Sequence, residues 1–138
     1  METIPYKISK IETSQFAIFP DNFVLNSNVA IESTSSFNVR DDLSQVRNTF
    51  SIKFLQNDKL VLTMEIKCYF DIKPEAFDLI KKEGVIPVNF LRYMSTITVG
   101  TARGVISAKT EGSVLNSIVL PPINLVDLIK EDMVLSKK

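Results

Sequence analysis

Residues 59–72 alternate: Leu60, Leu62, Met64, Ile66, Cys68, Phe70 and Ile72 fall on even positions, and Lys59, Thr63, Glu65, Lys67 and Asp71 on odd ones. A period of two predicts a long strand with one buried face. Upstream, Val46, Phe50, Ile52 and Phe54 alternate with Arg47, Thr49, Ser51 and Lys53, and the polar QNDK between the two runs predicts a hairpin turn. Val29, Ile31, Phe37 and Val39 share odd positions across a polar middle, STSS, which predicts a third strand. Tyr6, Ile8, Ile11, Phe16 and Ile18 suggest a first strand whose phase slips between Ile8 and Ile11, as a bulge would cause.

The pattern changes at Pro74. PEAFDLIKKEG has the spacing of one or two helical turns, with lysines before a terminal Gly84. Beyond Pro87, Phe90, Leu91, Met94, Ile97, Ala102, Val105 and Ala108 recur every three or four residues, predicting a helix over 88–110. Gly112 ends it, an extended SVLNSIVL follows, and Pro121-Pro122 block continuation. Asn124 then caps a last helix with Leu125, Leu128, Ile129 and Met133 on one side. Four strands followed by helices, without alternation, predict an α+β fold. The expected architecture is a four-stranded antiparallel meander sheet, then a long and a short C-terminal helix packed on one side, as a single domain over residues 1–138.

Gly100, Gly104 and Ala108 form a smooth stripe at i, i+4 and i+8 of the predicted helix. Mid-helix glycines cost about 1 kcal/mol each relative to alanine, so a close packing partner, in this chain or in another copy, would offset them. The alternative, a phosphate loop ahead of Lys109-Thr110, requires glycine where Ala108 and Arg103 stand. It also requires a helix N-terminus, whereas Lys109 lies at a predicted C-terminus, so a nucleotide site is rejected.

Composition narrows the chemistry further. There is no histidine and one cysteine, Cys68, in 138 residues. Histidine acid-base chemistry, Cys-His nucleophiles, the common zinc sites and an internal disulfide are thereby excluded, and a reducing cytosol is the expected compartment. Sixteen basic and sixteen acidic residues cancel, which gives no electrostatic reason to expect nucleic acid. Neither a signal peptide nor a membrane span is expected, and Lys137-Lys138 are expected to be a solvated tail. Asp41-Asp42 and Glu131-Asp132, the adjacent acid pairs, are expected on a loop and a solvated helix end. Cys68 belongs with the buried alternation, and the three tyrosines are too scattered for a stacking platform. With 45% hydrophobic residues, nine phenylalanines and a slightly positive mean hydropathy of +0.13, some apolar surface is expected to be shared with other chains.

The run ARGVISAKTEGSVLNSIVLPPINLVDLI, residues 102–129, resembles the signature region of the SecB family of export chaperones. The matching features, in order, are Ala102-Arg103, Gly112, Val119-Leu120 and Pro122-Ile123-Asn124; KISKIETSQFAIFPDN likewise resembles the family's first strand and the turn after it. The resemblance implies a cytosolic, ATP-independent holdase that needs no cofactor. It implies a tetramer, a dimer of dimers, that keeps precursor proteins unfolded in apolar grooves. It also implies a partner for the Gly100, Gly104, Ala108 stripe, at the interface between dimers. Val29 and Ile31 fall where the family's second strand contributes to client contact, and Phe50, Phe70 and Met94 are added as further client-binding candidates. Of the acidic residues with which the family docks the motor ATPase SecA, Glu65 matches one, but Gln15 and Phe19 stand where others are expected. Protection of an antitoxin, as in SecB-like relatives of toxin-antitoxin systems, is the variant function. The rivals are a structural oligomer without client binding and an enzyme, which a deep site with convergent carboxylates would mark.

Overall fold

A computed structural model describes residues 6–135, apart from the Leu79 side chain; the Lys137-Lys138 tail lies outside the described residues. Strands β1 (Tyr6–Ile18), β2 (Ala30–Val39), β3 (Gln45–Gln56) and β4 (Lys59–Ile72) form one antiparallel sheet. The predicted four-stranded sheet followed by helices is therefore present, with one difference in path. β2, β3 and β4 make a meander, but the order is β1-β4-β3-β2, so β1 lies at the far edge beside β4. The cause is the connection after β1, which begins with a single turn over Pro20–Asn22 and crosses the end of the sheet. There Phe19 N–H donates to Val61 O (2.8 Å) and Asn22 Nδ2 to Leu60 O (2.9 Å).

Local chemistry fixes the register. Asn57 and Asp58 close the β3–β4 hairpin with φ of 51° and 63°, the left-handed pair that a two-residue turn needs to match the strand twist. The phase slip predicted in β1 is a register shift between Ile8 and Lys10, and a second shift follows between Thr13 and Gln15.

Helix α1 (Pro74–Glu83) starts on Pro74 and ends at Gly84, whose φ of 71° suits glycine. A two-stranded ribbon, β5 (Val85–Ile86) with β6 (Met133–Val134), closes the chain's end against it. The long helix α2 (Val88–Lys109) packs on the sheet through Leu91, Met94, Ser95, Thr98, Val99, Ala102 and Ile106. This stripe is rotated from the predicted one: Ile97 and Ala108 face outward, and the buried Ser95 and Thr98 were disguised by their polarity. The stretch expected to be extended after Gly112 contains a 3-10 turn, Val114–Ser117, capped by Ser113. Helix α3 is one turn, Leu125–Leu128, capped by Asn124 as predicted. It stops short of Met133 because Ile129 turns extended and buries its side chain, leaving Met133 to β6.

The core lies between sheet and α2 in two parts. One holds Phe50, Ile52, Phe54, Leu62, Met64 and Ile66 under Val99, Ala102 and Ile106. The other holds Val46, Cys68 and Phe70 under Ile86, Leu91 and Met94. Each large side chain removed from water contributes about 1.5–3 kcal/mol. Asn48 and Ser95, both fully buried, occupy the seam between the parts. Asn48 Nδ2 donates to Ser35 Oγ (2.8 Å), and Ser35 and Ser95 share a hydrogen bond of 2.9 Å.

Candidate polypeptide-binding groove

The segment after α2 runs back along the helix, held by arginine donors. Arg103 Nε donates to Leu120 O (2.8 Å) and its Nη2 to Pro121 O (3.1 Å), while Arg92 Nε donates to Ile129 O (3.0 Å). Arg103, part of the Ala-Arg pair in the sequence, thus fixes Leu120 and Pro121 at a set distance from the sheet. On the other side, the β1–β2 loop brings Phe23 and Leu25 beside the start of β2.

Between them is an open groove of about 370 Å³, with Phe23, Leu25, Val29 and Ile31 on one bank and Ile118, Val119 and Pro121 on the other. Past Ile31 and Pro121 it continues into a second concavity of about 340 Å³ toward Pro122 and Leu128. The first concavity has no charged lining residue. Its rim is apolar and open to water, with Leu25 62% and Val119 68% exposed. Asn26, Ser27 and Ser117 add uncharged polar groups to its lining, and such a surface can bury apolar side chains.

Of the client-contact candidates, Val29 and Ile31 are half-buried and line this groove. Phe50, Phe70 and Met94 do not: they are at most 2% exposed, inside the two core parts. Contact with another chain would require the layers to separate, so these three are corrected to core residues. Gly100, Gly104 and Ala108 are exposed along α2, and a Cβ added at either glycine meets nothing within 4 Å. Within the chain, therefore, the stripe has no close partner among the described residues.

Glu65 lies on the polar outer face of the sheet, opposite Gln15 in the β1–β4 register, and accepts a hydrogen bond from Ser14 Oγ. Phe19 is 39% exposed beyond the end of β1. The concavity holding Glu65 and Glu32 also holds Lys53 and is open to water. Asp42 and Asp132, one acid of each adjacent pair, have structural contacts, and Glu131-Asp132 lie beyond α3, not at a helix end as expected. Asp132 Oδ1 accepts from Val88 N–H at 2.7 Å, at the start of α2. The Ser44 hydroxyl and then the Ser44 N–H hold Asp42 below the usual carboxylate range, with Arg40 adding to the effect. Cys68 is buried, and that burial pushes its thiol pKa up, which suits an inert side chain. Among the described residues, no group of three acidic, cysteine or histidine side chains is placed to hold a metal ion.

Sequence patterning missed the two walls. Phe23, Val24 and Leu25 form a short apolar run inside a polar loop, and Gln56 falls in phase with Phe50, Ile52 and Phe54 although it was assigned to the hairpin turn. Those were the available signals. Gln56 is in fact the last residue of β3 and is buried.

No family model matches the sequence, and no curated protein matches it. Among solved structures, the fold is similar to the Mycobacterium tuberculosis SecB-like chaperone Rv1957 in complex with a ChAD peptide from the antitoxin HigA1. The likeness has a TM-score of 0.54 at 14% identity, covering 87% of this chain and 91% of that one. This chain therefore has a SecB-like fold.

Proposed function

We propose that the protein is an ATP-independent holdase that takes exposed apolar segments of unfolded polypeptides into the groove beside β2. The observation that carries this reading is the uncharged, apolar-rimmed groove on a SecB-like fold. Burying a client's Leu, Val or aromatic side chain contributes about 1.5–3 kcal/mol, against the entropy of ordering the chain, so affinity accumulates over several weak contacts. Copies of the groove on one body multiply that effect. The exposed Gly100, Gly104, Ala108 stripe supports assembly through α2, with a tetramer built as a dimer of dimers.

The client class favoured is an antitoxin, since the SecB-like chaperone of similar fold was solved with an antitoxin peptide. Delivery of precursors to SecA has only Glu65 to rest on among the three positions considered, with Gln15 and Phe19 at the other two. A cytoplasmic location accords with both uses; no described helix is long and apolar enough to cross a membrane.

The test is light scattering from a chemically denatured protein diluted with stoichiometric protein and no ATP. Suppressed aggregation is expected. Undiminished aggregation at several-fold excess would leave a structural oligomer without clients.

A further inference from the structure

Beyond Asn22, the loop that forms one wall of the groove is hydrogen-bonded to the sheet, among the described residues, through a single side chain. Gln56 ends β3 on the core-facing side, 2% exposed, at a position where an apolar residue would serve packing alone. Its Nε2 donates to Val24 O (2.9 Å) and Ser27 O (3.1 Å), and its Oε1 accepts from Val24 N–H (2.8 Å). Among the described residues, these are the hydrogen bonds that join residues 23–28 to the sheet; the others made by this stretch stay within the loop. Leu25 and Asn26 sit between the clamped residues and line the groove, with Asn26 in the left-handed region at φ 65°.

We infer that Gln56 is a positioning residue for the groove, whose amide sets the place of Leu25 and Phe23 and hence the width offered to a client side chain. The inference rests on the reading of the groove as a polypeptide site. An amide is required because the loop presents both a donor and acceptors at one point. Leucine would fill the volume yet leave the Val24 and Ser27 groups unpartnered, so the loop would lift toward water. Glutamate would keep one acceptor but lose both donors and set a carboxylate against two carbonyl oxygens. In either case a client must order the wall as it binds, which weakens affinity without touching a contact residue.

The test uses the full chain with fluorescently labelled, reduced and carboxymethylated α-lactalbumin as a permanently unfolded probe. Binding is followed by anisotropy, loop protection by hydrogen exchange, and global stability by urea unfolding. In the unaltered protein, the Val24 amide should exchange more slowly than those of Leu25 and Asn26; equal rates would overturn the clamp. Gln56→Leu and Gln56→Glu should bind the probe about tenfold more weakly. That loss should come with faster exchange over 23–28 and a cooperative urea transition still in place. If Gln56→Leu does not fold, Gln56→Glu, of nearly the same shape, carries the comparison. Should the unaltered protein bind and both variants bind within about twofold of it, the clamp has no bearing on affinity and the inference fails alone. Should the unaltered protein not bind the probe, the groove reading falls and the clamp's role falls with it.

Discussion

Ser95 Oγ lies 3.2 Å from Asn48 Oδ1, joining the middle of α2 to β3 at a point where neither side chain meets water. Buried polar groups are costly to strand, so Asn48→Ala, which removes the shared partner of Ser35 and Ser95, is expected to cost about 2–3 kcal/mol. Ser95→Ala should cost about 1 kcal/mol. Urea unfolding of both single variants and the double variant should give a coupling above about 0.5 kcal/mol. Strict additivity would mean that the two side chains do not act together.

Val29→Ser and Ile31→Ser test the groove directly. Each should remove about 1 kcal/mol of apolar contact with an unfolded client. That is about fivefold in affinity per substitution, read by anisotropy. Both residues also touch the core from its margin, so a modestly lower urea midpoint is expected with an unchanged circular dichroism spectrum. Unaltered aggregation suppression by the double variant would remove both from the site.

Gly100→Ala and Gly104→Ala separate the helix from its surroundings. Since an added Cβ meets nothing within 4 Å in the chain, each substitution should stabilise α2 of an isolated subunit by about 1 kcal/mol. Across a subunit seam, the same methyl groups hold the partner away. Sedimentation is therefore expected to show a lower mass at equal concentration for the double variant, with helicity retained. An unchanged mass would show that the stripe is not the seam.

Tyr6 supplies a pH dependence. Its ring is buried edge-on against Phe70 at 5.4 Å, and its buried hydroxyl has no hydrogen-bond partner among the described residues. Burial, and secondarily the nearby Tyr93, raise its pKa well above the ordinary tyrosine value. The raised pKa means that the stability tied to neutral Tyr6 is complete below about pH 10 and is lost as pH rises beyond it. Tyr6→Phe should therefore equal or exceed the unaltered protein in stability near pH 7, by up to about 1 kcal/mol. Its loss of stability above about pH 10 should be shallower. Urea unfolding from neutral to alkaline pH checks both, and a marked loss at neutral pH would reveal a partner for the hydroxyl.

Much of this fold was written in local chemistry. The alternation through β3 and β4, the Asn57-Asp58 turn, the slip in β1 and the Asn124 cap each depend on neighbours a few residues away, and each appears where predicted. The position of β1 beside β4 depends on a loop crossing that no periodicity encodes. Phe50, Phe70 and Met94 illustrate a related limit, because periodicity, of two or of three to four residues, identifies a buried face without saying whether the layer above is this chain or another. Val29 and Ile31 could be placed at the groove through their strand, whereas its two walls depend on Gln56 and Arg103 reaching distant backbone carbonyls. Such contacts have no spacing rule.

The placement of β1 has a consequence for how the molecule is made. Ser9 bonds to Asp71, 62 positions later, so the first strand synthesised finds its neighbour near the end of the sheet's translation. At about 5–20 residues per second, the nascent strand waits for seconds before β4 leaves the ribosome. Tyr6, Phe16 and Ile18 remain uncovered meanwhile, while the β3–β4 hairpin closes within microseconds of emerging. A protein proposed to shelter unfinished chains is, for that interval, an unfinished chain with the same need.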